Sequence, residues 1–451
     1  MYLSIQSKRN IKINQTKTLI LIPFLNYEKN SKSINIVPAE NRIEEIKGLA
    51  EAIDLAVCAC IKVNIAQIRP ATFIGKGRIE ELSERIKQEE IELVIIDTDI
   101  TPIQQRNLEK LWQCKIIDRT ALILEIFGER ARTKEGILQV ELAHLNYQKG
   151  RLVRSWTHLE RQRGGGGFLG GPGETQIESD RRQLQEKILR IQKQLDKVVK
   201  TRNLHREKRK KKPYPIIALV GYTNAGKSTL FNYLTGANVL AKNMLFATLD
   251  PTLRKVTLPH GETIIFSDTV GFISNLPTHL IAAFRATLEE VLEADLIVHV
   301  RDISNPHHHI HAQHVMEILK DLGIDNNNNR IIELWNKIDL LKNDAYTHMK
   351  TSAQNAHLKT YFVSAHTGEG IEEFLKEIEE KIFGKIKTLK FKIPLKEQAI
   401  LPLIYQYCHN IMREDLADGA VKISANITEQ KNIIFQKMKN NIIKSKNFDN
   451  K

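Results

Sequence analysis

At 451 residues, with 67 Lys and Arg against 53 Asp and Glu, the chain carries a formal net charge of +14. That length calls for two to four domains, and the charge points to a polyanionic partner, with RNA first and an anionic membrane surface second; solubility alone is the alternative reading. No run of 18 apolar residues occurs, the start Met1-Tyr2-Leu3-Ser4-Ile5 lacks the build of a signal peptide, and Cys58, Cys60, Cys114 and Cys408 form no C-x-x-C. These features exclude a membrane-spanning helix and point to the reducing cytoplasm.

Residues 1–136 alternate short apolar runs with helical periods. Leu19-Ile20-Leu21-Ile22 reads as a strand ending at Pro23, Val57 to Val63 as a second, Leu93 to Asp97 as a third, and Lys115-Ile116-Ile117-Asp118 closes the series. Ile43, Ile46, Leu49, Ala50 and Ile53 fall at helical spacing, and Thr101-Pro102 caps another helix. Strands alternating with helices predict a small α/β domain with a parallel sheet. Gly75-Lys76-Gly77-Arg78 could cradle a phosphate, but it lacks a following Lys-Ser, and a helix-entry turn is the simpler reading.

Residues 137–212 read as an antiparallel helical hairpin. Leu138, Leu142, Leu145 and Leu152 make one apolar stripe; Ile177, Leu184, Ile188, Ile191, Leu195 and Val198 make another. The connection, Arg161 to Gly173, holds seven glycines around Phe168-Leu169. A floppy linker is one reading. The other is a probe in which Arg161 and Arg163 meet phosphate while Phe168 and Leu169 touch bases. The hairpin runs out in Arg206-Glu207-Lys208-Arg209-Lys210-Lys211-Lys212, a solvated linker or a further grip on an RNA backbone.

Residues 213–384 carry four boxes in order. After the apolar run Ile216 to Val220, Gly221-Tyr222-Thr223-Asn224-Ala225-Gly226-Lys227-Ser228 matches G-x-x-x-x-G-K-[ST] and leads into a helix. Backbone amides there curl round a phosphate at a helix N-terminus, Lys227 reaches the terminal phosphates and the Ser228 hydroxyl ligates Mg²⁺. Asp268-Thr269-Val270-Gly271 ends a strand as D-x-x-G, with Asp268 placed to hold Mg²⁺ through water and the Gly271 amide to meet the γ-phosphate. Asn336-Lys337-Ile338-Asp339 is N-K-x-D, and its Asp339 can accept from the two donors that guanine offers and adenine does not. Ser364-Ala365-His366 fits the loop that covers the base. Any one box is a weak signal; four in order within about 150 residues specify GTP binding. Thr248 or Thr252 supplies the first-switch threonine. The histidines of Pro306-His307-His308-His309-Ile310-His311 lack acidic or Cys partners at ligand spacing, which speaks against a metal site. Residues 385–451 read as a small α/β appendage: a strand at Leu389 to Pro394, a helix near Leu401 to Met412, a strand at Ala420 to Asn426, then a Lys/Asn-rich tail.

These boxes, with Leu245-Phe246-Ala247-Thr248-Leu249-Asp250-Pro251-Thr252, Asp268 to Ile273, Gly75 to Arg78, Gln104 to Glu109 and the glycine loop through Glu174-Thr175-Gln176, resemble the HflX family of bacterial translational GTPases. The resemblance implies a P-loop GTPase domain behind an α/β domain and a hairpin that contacts ribosomal RNA, binding to the large ribosomal subunit, and GTP-dependent separation of stalled ribosomes under stress. It gives Thr248 the switch role, with Ser228 as the other direct Mg²⁺ ligand, and sets Phe246, Ala247, Leu249 and Asp250 beside the nucleotide. Asn224 resembles the asparagine that helps seat K⁺ in related GTPases; a turn-stabilising role is the alternative. Where many GTPases place a water-orienting glutamine, this chain has Phe272, so hydrolysis leans on Lys227, Mg²⁺, the Gly271 amide and a group from the partner. The expected protein is a monomeric GTP/GDP switch. A ribosome-assembly GTPase and an RNA-binding scaffold stabilised by nucleotide are the competing readings. The segment after 385 and the histidine run carry least of the resemblance.

Overall fold

The computed structural model describes residues 15–25, 39–162, 172–210, 214–237, 245–274, 285–324, 330–354, 358–416 and 418–448. They divide into two compact units, the first holding the chain to Asn203 with residues 245–249, the second most of the remainder. The fold is α/β throughout.

In the first unit, β1 (Lys17–Leu25), β2 (Ala56–Ile65), β3 (Leu93–Ile96) and β4 (Lys115–Asp118) form an all-parallel sheet in the order β2-β1-β3-β4. β1 and β3 are unbroken apolar runs because helices cover both faces of such a sheet. β1 does not end at Pro23 as the sequence suggested. β3 pairs only with Thr18 to Leu21, so at Pro23 the strand is already an edge on that side and the missing N–H costs no ladder bond. Helix α1 (Ala39–Glu51) buries Ile46, Leu49 and Ala50. Helix α2 (Lys76–Gln88) buries Ile79, Leu82 and Ile86. Its entry residue Gly75 is extended, and the turn serves helix entry. Helix α3 (Pro102–Trp112) starts with a full capping box between Thr101 and Gln104. Helix α4 (Arg119–Arg130) is capped by Asp118, whose carboxylate accepts from the Ala121 amide at 2.8 Å.

Two long helices follow, α5 (Lys134–Gln162) and α6 (Pro172–Lys210). Leu138 and Leu145 of α5 pack with Ile188 and Ile191 of α6, flanked by Leu142, Leu184, Leu195 and Val198, which is the seam the two stripes predict. Leu152 is half-buried outside that cluster. Arg163, Phe168 and Leu169, and the side chains of Arg161 and Ile177, lie outside the described residues.

In the second unit, β5 (Ile216–Val220), β6 (Thr252–Thr257), β7 (Thr263–Asp268), β8 (Leu296–Asp302), β9 (Ile331–Asn336) and β10 (Thr360–Phe362) form a sheet in the order β10-β9-β8-β5-β7-β6. All pairs are parallel except β6 with β7. β5, β8 and β9 are buried almost throughout, around a core of Leu219, Phe231, Phe266, Val298, Leu334 and Phe374. A three-stranded antiparallel sheet follows, β11 (Ile386–Ile393), β12 (His409–Asp415) and β13 (Val421–Thr428), ordered β11-β13-β12, and the stretch expected as a Lys/Asn-rich tail is a helix over Glu429–Phe448. The helix expected over Leu401 to Met412 stops at Tyr407, and β12 begins at His409. Ile404, Cys408, Ile411 and Met412 mimic a helical spacing, but an edge-strand pairing with β13 wins.

Candidate nucleotide site

The site sits at the carboxyl ends of β5, β7 and β9, where parallel strands hand over to loops. Buried β5 delivers the chain to the loop Gly221–Gly226, and helix α7 (Lys227–Thr235) starts immediately after it. Gly226 has φ +92, and a Cβ there would lie 2.2 Å from the Asn336 amide nitrogen. No other residue fits that corner. Asn224 is exposed with φ +61, a left-handed conformation that asparagine tolerates.

Lys227 is 6% exposed, and its ammonium donates to the carbonyls of Gly221 (3.0 Å) and Tyr222 (2.7 Å). Burial pushes its pKa down to about 8, with Lys337 adding to the effect and Asp268 opposing it. A buried cation donating to neutral carbonyls favours an incoming anion. Ser228 donates its hydroxyl to Asp268 at 2.8 Å, and Thr269 donates to the Leu219 carbonyl at 2.5 Å. Thr223 is buried, and its hydroxyl has no hydrogen-bond partner among the described residues. Val270 is also buried.

The D-x-x-G segment lies directly on the phosphate loop. The Thr223 amide donates to the Phe272 carbonyl at 2.7 Å, and the Phe272 amide to the Gly221 carbonyl at 3.1 Å. A Cβ on Gly271 would come within 2.9 Å of Thr223 Cα and 3.0 Å of the Lys227 ammonium. Gly271 is therefore required by close approach. Phe272 is 7% exposed and buries its ring.

On the base side, Asn336 is a cross-brace. It is 1% exposed, donates to the Ala225 carbonyl at 2.9 Å and accepts from the Ala365 amide at 2.9 Å, tying three boxes together. Lys337, at φ +69, pairs with Asp302 at 2.6 Å, and Ile338 is buried behind it. Asp339 is exposed and accepts from the Ser364 hydroxyl at 2.6 Å. Ser364 in turn accepts from the Thr367 amide at 3.0 Å, while His366 faces solvent. Asp339 and the Ala365 loop thus sit together.

The expected switch residues divide between the units. Phe246, Ala247, Thr248 and Leu249 belong to the first, where Phe246 stands edge-on to Phe127 (4.9 Å between ring centres) and is 2% exposed. Asp250, half-buried, belongs to the second.

Three features escaped sequence reading. Glu333 accepts from Arg301 (2.6 Å) and from the Trp335 indole (2.8 Å). Burial works to raise the Glu333 carboxyl, yet Arg301, His299 and these hydrogen bonds bring it down overall. Two histidines of the polar run enter the packing. His308 lies edge-on to Trp335 and within 2.9 Å of Arg301, and burial lowers its pKa to about 4. His311 lies flat on the Tyr222 ring, with centres 3.9 Å apart and planes 7° from parallel. The cross-brace role of Asn336 is the third. Strand-end polar residues such as Arg301 and Asp302 were the signal available for the first.

Mg²⁺, which this class of site uses, fits the oxygen pair of Ser228 and Asp268. Among the described residues no group of three or more His, Cys, Asp or Glu gathers to hold a metal, so phosphate oxygens and water would complete the coordination. The ion would neutralise charge on the phosphates.

Phosphate loop, D-x-x-G strand and guanine-reading loops on one mostly parallel sheet define a P-loop GTPase domain. Family models agree: residues 216–337 match one described as a 50S ribosome-binding GTPase, 40–128 a GTP-binding GTPase N-terminal region, 130–209 its middle region, and 348–449 the HflX C-terminal domain. GTPase HflX of Magnetococcus marinus is 51% identical over 355 residues, covering 79% of this chain and 81% of its own. That of Escherichia coli is 42% identical over 365 residues, covering 81% and 84%. A GTP-binding protein of Sulfolobus solfataricus, solved with GDP, aligns over 81% of this chain and 98% of its own at 23% identity and a TM-score of 0.43. The chain belongs to the HflX family of GTPases and hydrolyses GTP to GDP and phosphate. The segment after 385, the least family-like part by sequence, falls within the HflX C-terminal domain and is a regular part of the family's architecture. Among the described residues no helix is long and apolar enough to cross a membrane.

Proposed function

We propose that this chain is a cytoplasmic, monomeric GTP switch that binds the large ribosomal subunit and splits stalled ribosomes under stress. The carrying observation is the direct backbone zipper between phosphate loop and D-x-x-G segment, Thr223 to Phe272 and Phe272 to Gly221. Any change in the phosphates is felt at once by the segment carrying Gly271. The family model described as a 50S ribosome-binding GTPase, and the +14 charge, support the choice of partner.

In this reading residues 213–384 turn over GTP, 1–136 and the 137–212 hairpin engage the subunit, and 385–451 completes the chain. Arg161, Arg163, Phe168 and Leu169 at the hairpin tip meet ribosomal RNA. Lys227 and the Gly271 amide stabilise the γ-phosphate as it leaves. Thr248 joins Ser228 on Mg²⁺ and reports the γ-phosphate. Phe272 can neither donate nor accept a hydrogen bond through its side chain, so the free protein hydrolyses GTP slowly and the large subunit accelerates it. K⁺ beside Asn224 would supply further positive charge; replacing K⁺ by Na⁺ and finding the rate unchanged would remove it from the scheme.

Sedimentation of purified ribosomes through sucrose tests the reading. With a non-hydrolysable GTP analogue the protein should travel with the large subunit and convert whole ribosomes into subunits; with GDP it should stay at the top. Identical profiles with both nucleotides would sink the proposal.

A further inference from the structure

Two backbone hydrogen bonds fix Phe272 to the phosphate loop, both at one residue. Before it, the Thr269 hydroxyl holds the same segment to the Leu219 carbonyl at 2.5 Å, whereas the chain beyond Phe272 could still swing on these two ties alone. The structure adds a tie two residues on: the Tyr222 hydroxyl accepts from the Ser274 amide at 2.9 Å. Tyr222 is 8% exposed, Ile273 1% and Ser274 5%, so the tie is made away from water, where a hydrogen bond holds geometry best. The ring that presents this hydroxyl is itself seated flat on His311 at 3.9 Å.

We propose that Tyr222, seated by His311, is a positioning residue for GTP hydrolysis. It holds the chain beyond Phe272 and, together with the Thr269 tie before it, sets where the Gly271 amide meets the γ-phosphate. In many GTPases a glutamine side chain after D-x-x-G aligns the attacking water; here Phe272 cannot, and the backbone must be placed more firmly to compensate. The inference rests on nucleotide lying against the phosphate loop and does not depend on the ribosomal partner.

The test is single-turnover GTP hydrolysis and GDP affinity, both on the full-length protein without ribosomes. Tyr222→Phe keeps the stacked ring and removes the acceptor for the Ser274 amide. Its hydrolysis rate should fall about fivefold, the loss of one buried hydrogen bond, while GDP affinity stays within about twofold. His311→Phe keeps a flat ring against Tyr222 and should hydrolyse within about twofold of the parent; His311→Ala should fall towards the Tyr222→Phe rate. GDP binding in every variant reports that the domain is folded. The proposal is overturned if Tyr222→Phe hydrolyses at the parent rate. It is overturned equally if GDP affinity falls in step with the rate, since the residue would then merely shape the loop. His311→Phe losing as much as His311→Ala would remove the stack from it. Failure of the parent protein to bind GDP would instead remove the nucleotide site, and this inference with it.

Discussion

Both large sheets of this chain are wholly or mostly parallel, with charged groups at the carboxyl ends of their strands, yet the two ends are finished in opposite ways. In the first unit Asp97, at the end of β3, is clasped by Arg42 (3.0 Å) and Arg119 (2.7 Å), and Arg119 also pairs with Glu45. Asp118, at the end of β4, takes Arg151 (2.9 Å) and the Tyr147 hydroxyl (2.9 Å). Each strand-end carboxylate is answered from within the chain. In the second unit the buried ammonium of Lys227 donates to two backbone carbonyls, and the buried Thr223 hydroxyl has no hydrogen-bond partner among the described residues. Charge left without a full partner is costly, and a fold retains it where a ligand completes it. The first sheet end is therefore a structural lock, and the second is a receptor for phosphate.

The sharpest way to break that contrast is Arg119→Ala. It leaves Asp97 to Arg42 alone and takes the guanidinium from Glu45 in a buried site, and denaturant unfolding should show a loss of about 3–5 kcal/mol. A loss below about 1 kcal/mol would mean that water already answers those carboxylates. The mirror experiment is Lys227→Met, which removes the buried charge but keeps most of the volume. Turnover of GTP should drop about 10²- to 10³-fold while stability holds or rises. Equal losses of stability in the two variants would erase the distinction.

Gly271→Ala asks how tightly the receptor is closed. The added methyl meets Thr223 backbone and the Lys227 ammonium at about 3 Å, so the D-x-x-G segment must retreat. We expect about a tenfold lower hydrolysis rate with GDP affinity nearly unchanged, read by single-turnover kinetics. Unchanged hydrolysis would show that Gly271 does not meet the γ-phosphate from its present place.

Much of the receptor was legible in sequence because its parts are local. Gly221 to Ser228, Asp268 to Gly271 and Asn336 to Asp339 each act through backbone conformation over a few residues, so the pattern carries the geometry. The lock was not legible. Nothing in the spacing of Arg42, Asp97 and Arg119 says they meet, because their contact depends on how three elements pack. The same holds for His311 under Tyr222 and for Asn336 bridging Ala225 and Ala365. Strand β12 was hidden for another reason: its edge pairing is a tertiary choice that overrode a helical spacing.

The smallest expected effect separates the units by pH. In the second unit His299 and His308 are both lowered to about 4, chiefly by burial, so they stay neutral in the fold while the unfolded chain protonates near pH 6.5. Below pH 6.5 the unfolded state binds the extra protons, and stability drains away as pH falls towards 4. Asp118 in the first unit runs the other way. Burial raises its pKa above the usual carboxylate value, so the stability it contributes is present at low pH and lost as pH rises through the raised value. Acid should therefore loosen the second core first. Amide exchange at pH 7 and pH 4.5, corrected for intrinsic rates, should show protection falling further in β5, β8 and β9 than in β1 and β3, and His299→Gln should reduce that difference. Equal loss of protection in both sheets would show that the two histidines are not what acid acts on.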